Sequence, residues 1–425
     1  MRRRALLAGL PWWVGAAAAQ PLTQGATVPA CFDHQRCYSG GGVPAGATLD
    51  LNFMTPGSLD PRVTFTRAST ATYFDATGVM RSAASNAPRW DYDPVTHALK
   101  GLLIEESRTN LWLYSADASN AAWLESGGIV AAPVVTGNQV AAPDGTVTAA
   151  RVVYPAVSGA GAWTQVTQQI AVAANSYAFS VWLRGNVGGE RLYLMTTVDA
   201  VTYYRQQATL TTAWQRFTLI TPSINGGYYW QIGTDLRDVG QTSAPAQTIY
   251  IWGGQLETGA FATSYIPTTA AAVTRAADVA TVPTGAWFNA AGTGTAAIEF
   301  NPSGVAPAAY PRLFADAASS KGLYLNSSLQ FGVFDGGTIA ATSNAATLGA
   351  VSKAAGTLPA SSGTSTFVLN GGPSASVALS IGFGSTSTFK LMGDNTAFDY
   401  ADGYIRHARY WPRALTNAEL QSVTR

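Results

Sequence analysis

The chain has 425 residues, of which 12% are charged and 47% hydrophobic, and its 25 Lys plus Arg and 24 Asp plus Glu leave a net charge of +1. That balance lacks the basic excess of a dedicated nucleic-acid binder, and the apolar content excludes an extended disordered chain. At about 150 residues per domain the length corresponds to two or three domains, each able to bury a core without metals or disulfides. Gly (43 residues), Thr, Val and aromatics are abundant, while Glu and Lys are scarce. Such a composition suits strands and tight turns and predicts a mostly β chain.

Residues 1–20, MRRRALLAGLPWWVGAAAAQ, carry three arginines, an apolar run broken by Pro11, and Ala17-Ala18-Ala19. The run is shorter than the roughly 20 residues of a membrane span. It reads as a secretory signal with an A-x-A cleavage site; a twin-arginine signal or a peptide that docks on a partner are the alternatives. Residues 21–48 form a linker containing Cys31 and Cys37, the only cysteines, with His34 between them. Export favours a disulfide between the two. Free thiols are the alternative, and a zinc site would lack its usual fourth ligand.

From residue 49 the pattern alternates. LDLNF (49–53), VTFTR (63–67) and GLLIEE (101–106) are strand candidates in a β module over 49–112. Between 113 and 270 come YAFSVWLRG (177–185), RLYLMTTV (191–198), TTAWQRFTLI (211–220), GYYWQIGT (227–234) and TIYIWGGQLE (248–257). Short strands divided by Gly, Pro and Asn turns, with no helical period between them, predict an antiparallel sandwich. Residues 271–285, poor in apolar periodicity, read as a connector, and 286–425 as a second β domain. There Leu369-Asn370-Gly371-Gly372 marks a hairpin, and Thr416 with Glu419 forms a capping box opening a short C-terminal helix. The expected fold is therefore tandem antiparallel β-sandwich, jelly-roll domains with one short helix.

VTFTRASTATYFDATG (63–78), NAPRWDYDPVT (86–96), GLLIEESRTNL (101–111), GGQLETGAFATSYIPT (253–268) and TRAADV (274–279) occur in that order. Together they resemble a module of phage tail fibres, phage head spikes and gene-transfer-agent spikes. The middle region is similar to galactose-binding-type carbohydrate-binding jelly rolls. TFVLNGG and DGYIRHARYWPRALTNAELQSVT resemble the hairpin, last strand and closing helix of concanavalin A-like, laminin G-type domains. The resemblance implies a protein of the virion surface that recognises cell-surface polysaccharide and contacts capsid or tail proteins, with homo-oligomers within its range. The signal-like N-terminus departs from that pattern and fits secretion instead.

No catalytic string of the H-E-x-x-H, G-x-S-x-G or P-loop kind is present, and Glu105 and Glu106, as strand neighbours, point to opposite faces. A glycosidase needs two carboxyls about 5 to 10 Å apart, so no enzyme activity is expected. Sugar binding asks for an exposed aromatic face and a few polar or guanidinium groups. The runs Tyr203-Tyr204 and Tyr228-Tyr229-Trp230 cannot all point inward, since strand neighbours alternate. With Arg205, Asp235 and Arg237 nearby, they are the candidate glycan site. No cofactor is expected, with a structural calcium as the alternative. Calcium is common in both jelly-roll families, but Asp394, Asp399 and Asp402 do not match the EF-hand pattern and read as a solvated loop. The reading is a non-catalytic glycan-binding spike or fibre. A secreted polysaccharide-active enzyme or its accessory module, and a purely structural spike, are the alternatives.

Overall fold

In the computed structural model, Tyr177, Phe179, Val181 and Leu183 project into one core from the Tyr177–Gly185 strand, as their alternation requires. That strand lies between Gln215–Ile220 and Gln247–Thr258, in a five-stranded sheet that continues through Ala149–Tyr154 to Val134–Val140. A second five-stranded sheet runs Tyr204–Thr209, Arg191–Thr197, Ile224–Asp235, Trp163–Asn175, Leu124–Gly128. All its pairings are antiparallel. Val166, Leu194, Trp230 and Ile232 face Phe179, Val181, Ile249 and Ile251 in the shared core. The structure describes residues 43–197, 199, 201–237, 241–304, 310–319, 321–337, 339–393 and 400–425. The signal-like segment, Cys31, Cys37, Asp394 and Asp399 lie outside them.

A second sandwich is built from both ends of the chain. Its eight-stranded sheet joins Leu49–Asn52, Trp90–Tyr92 and Leu99–Ile104 to Gly294–Pro302, Ser352–Leu358, Gly363–Leu369, Ala375–Leu379 and Gly403–Trp411. The last of these strands holds the early ones: Leu49 stands opposite Tyr410, and Leu103 opposite Tyr404. The seven-stranded sheet places Thr64–Thr66 beside Val279–Pro283 and Val279–Pro283 beside Thr388–Leu391. Leu49, Leu51, Phe65, Ala280 and Val282 share its core with Phe300, Phe314 and Phe389. Residues 271–285, expected as a connector, thus contain two strands. Their small Ala and Thr side chains hide an inward alternation of Ala280 and Val282, both fully buried.

The jelly roll is an insertion in this second sandwich. The chain leaves through Arg108–Asn110 and returns through Val273–Arg275, and the two segments pair antiparallel as a neck. Beside the neck lies a buried ion cluster. Arg89 pairs with Asp278 and, at 2.9 Å, with Glu105. Arg67 reaches Asp278 at 3.0 Å, and Arg275 reaches Glu105 at 3.5 Å. Ser264 donates to Glu105 from both its amide and its hydroxyl at 2.6 Å. Glu106 pairs instead with Arg108. Arg67, Arg89, Glu105, Ser264, Arg275 and Asp278 come from the separate strings that carried the family resemblance. Their shared place is this joint.

The local signals at the C-terminus hold. Asn370 and Gly371 both take positive φ, 49° and 65°, in the turn after Gly363–Leu369. Thr416 and Glu419 form the capping box of the Asn417–Val423 helix, whose Leu420 is buried against Trp411 and Leu415.

Candidate functional site

Alternation sorts the Tyr228-Tyr229-Trp230 run. Tyr228 and Trp230 point into the jelly-roll core, where Trp230 is fully buried with its ring centroid 5.7 Å from that of Phe179. Burial pushes the Tyr228 phenol pKa up, with the neighbouring Tyr204 and Asp199 adding to the effect. Tyr229 faces the other way and keeps 40% of its surface exposed. Tyr204 also turns toward the core and packs against it. The expectation of a binding role for Tyr204, Tyr228 and Trp230 is therefore corrected: they fill the sandwich, because the pairing of Trp230 with Gln168 and Thr196 fixes its face. Trp230→Ala should cost about 3–5 kcal/mol of stability, the usual effect of emptying a core aromatic site. A thermal melt checks this; an unchanged melt would place Trp230 outside the core.

The face of the Ile224–Asp235 sheet turned away from the core is built in register. Trp163 stands opposite Asp235, and Gln165 opposite Gly233 and through it Tyr193. Thr167, Gln231, Met195 and Arg205 form the next row. Gln169, Tyr229 and Thr197 form a third. Close approach requires glycine twice. A Cβ on Gly128 would lie 2.3 Å from the Trp163 Nε1, and one on Gly233 2.2 Å from the Thr164 carbonyl oxygen.

Tyr203, Arg205, Asp235 and Arg237 do come together, with Trp163 as a partner the sequence reading missed. The Arg237 Cζ lies 4.8 Å from the Trp163 ring centroid and 4.9 Å from that of Tyr203. The Arg205 Cζ lies 4.3 Å from the Tyr203 centroid. Rings and guanidiniums thus alternate across the two strands that separate Trp163 from Tyr203, a cation–π arrangement. Asp235, fully buried, accepts from the Arg237 amide at 2.8 Å and from its Nε at 3.0 Å. Arg237 Nη2 donates to the other carboxylate oxygen at 2.5 Å.

Gln165 and Gln231 are the other residues that sequence reasoning missed. They are 2% and 4% exposed, and neither Oε1 has a hydrogen-bond partner among the described residues. Buried polar atoms normally find one. The polar T-Q-V-T-Q-Q run at 164–169 was the available signal. At one end, Tyr193, Gln207 and Asp235 also line a cavity of about 640 Å³, together with Glu190, Arg191 and Gln247. That volume lies in the range of small-ligand sites. Among the described residues no group of three or more His, Cys, Asp or Glu side chains is arranged to hold a metal ion.

No protein-family model matches the chain, and no curated protein matches it. Among solved structures, a family 29 carbohydrate-binding module is similar at 9% identity, over 36% of this chain and 91% of its own, with a TM-score of 0.23. The tandem family 22 carbohydrate-binding modules of Paenibacillus barcinonensis Xyn10C are similar at 8% identity, over 71% of this chain and 96% of theirs, with a TM-score of 0.25. A Trypanosoma rangeli sialidase is similar at 11% identity, over 64% of this chain and 60% of its own, with a TM-score of 0.27. Likeness at this level leaves the ligand to be argued from this chain's own side chains.

Proposed function

We propose that this chain is a non-catalytic glycan-binding spike or fibre protein, and that the outer face of the Ile224–Asp235 sheet takes the sugar. The observation that carries the reading is the pair of amide oxygens without a partner among the described residues, on Gln165 and Gln231, set between Trp163, Tyr193 and Tyr229 on one sheet face. Each oxygen is an acceptor that a sugar hydroxyl reaching into this face would satisfy. The ring of Tyr229 offers a π face to the apolar side of a pyranose. Asp235, held by the Arg237 guanidinium, is not free to act as an acid or base in bond cleavage. Attachment to a phage-like particle is supported by the strings at 63–111 and 253–279, whose residues build the joint between the two sandwiches. On that reading the partners are cell-surface polysaccharide and virion proteins.

A glycan array with mass spectrometry of the supernatant tests the reading. Binding without released oligosaccharide is expected; steady release would favour the polysaccharide-active enzyme, and no binding the structural spike. Tyr229→Ala should weaken binding to the array ligand by about 1–3 kcal/mol, as for an interface anchor, and leave the thermal melt unchanged. Titration calorimetry showing parental affinity would remove Tyr229 from the site.

A further inference from the structure

We propose that the ligand is an acidic glycan whose sugars carry carboxylates, with Arg237 as its anion contact and Arg205 as the charge behind it; this rests on the glycan-binding reading above. Two guanidiniums share one carboxylate here. Asp235 is saturated by Arg237, accepting from its amide, Nε and Nη2. Arg205 is left 3.8 Å from the same carboxylate. Its Nη1 donates to the Arg237 carbonyl oxygen at 2.5 Å, while Nε and Nη2 have no hydrogen-bond partner among the described residues.

Asp199 follows Thr197, at the Tyr229 end of the sheet rather than beside Asp235, and it accepts from the amides of Val201 and Thr202 at 2.9 and 2.8 Å. The two Arg side chains are only 12% and 20% exposed. Among the described residues Asp235 is the carboxylate these two guanidiniums pair with; at that burial water screens the remaining positive charge poorly, and an added anion is attracted more strongly than at an open surface. Arg237 is the more exposed of the two and lies against Trp163. Its Nε and one Nη2 hydrogen hold Asp235, so the edge formed by Nη1 and the second Nη2 hydrogen is the one that suits the carboxylate of a sugar ring stacked on the aromatic face.

The test uses the full chain against polygalacturonate, alginate and hyaluronan, each beside its carboxyl-reduced form, and against neutral glycans. At least one acidic polymer should bind roughly tenfold tighter than its reduced form, the equivalent of one modest charge-assisted pair. The preference should shrink as salt rises. Arg237→Gln alone strands Asp235, so the paired variant Arg237→Gln with Asp235→Asn is measured too. It should still melt cooperatively, and its ratio of acidic to reduced-polymer affinity should fall to about one. Equal binding of acidic and reduced forms, or binding confined to neutral glycans, overturns the acidic-ligand proposal and leaves the glycan site standing. Binding to none of the polymers or neutral glycans overturns both. A paired variant that folds and keeps the full preference removes Arg237 as the anion contact.

Discussion

Arg89→Met should destabilise the protein by about 3–5 kcal/mol, the cost of breaking a buried ion pair from one side. Arg89 is fully buried and serves two carboxylates, Glu105 and Asp278. Removing it leaves both in the joint with less opposing charge. Arg81→Ala is the control: its partner is Asp75, its side chain is 53% exposed, and such surface pairs contribute about 0–1 kcal/mol. Denaturant unfolding of both variants checks the contrast; equal small losses would show that the cluster contributes no more than a surface pair.

Acid should act on the same joint. Burial raises the Glu105 pKa, but the charges of Arg275 and Arg89 and the hydrogen bonds from Ser264 outweigh it and hold the group at about 2. An unfolded Glu titrates near 4.3. A depressed folded pKa gives stability that is present above the unfolded value and lost as pH falls through the folded one. The Glu105 contribution should therefore disappear between about pH 4 and 2.

Residues 286–425 expressed alone should fail to fold cooperatively. That fragment lacks Leu49–Asn52, Thr64–Thr66, Trp90–Tyr92, Leu99–Ile104 and Val279–Pro283, which supply strands to both sheets. Leu49, Leu51, Phe65, Leu102, Ile104, Ala280 and Val282 leave the core with them. Each large apolar side chain contributes about 1.5–3 kcal/mol by burial, so the six large ones together, about 9–18 kcal/mol, match the 5–15 kcal/mol by which domains are usually stable. Residues 108–275, which hold both sheets of the jelly roll and its neck, should fold by themselves. Circular dichroism with thermal melts separates the two fragments. A cooperative melt of 286–425 would show that the early strands are dispensable.

Composition and alternation determined the β class and many of the elements. Tyr177–Gly185 and Gly403–Trp411 have the bounds their alternating apolar residues predict. The capping box and the Asn-Gly turn also follow from neighbours in sequence, because their energetics are local. At Tyr228-Tyr229-Trp230, alternation required that the run divide between two faces. It could not say which ring goes inward, because a one-residue shift in register exchanges the two sets. Cross-strand pairing decided that, and it also brought Trp163, Gln165 and Gln231 beside Tyr203, Arg205 and Arg237. In sequence an isolated Trp reads equally well as core. The second sandwich was likewise hidden. Leu49 meets Tyr410 across most of the chain, and Arg67 meets Asp278 across about half of it. No local period encodes which distant strand a half-buried strand will pair with; only burial of both sheets' apolar faces against one another selects it.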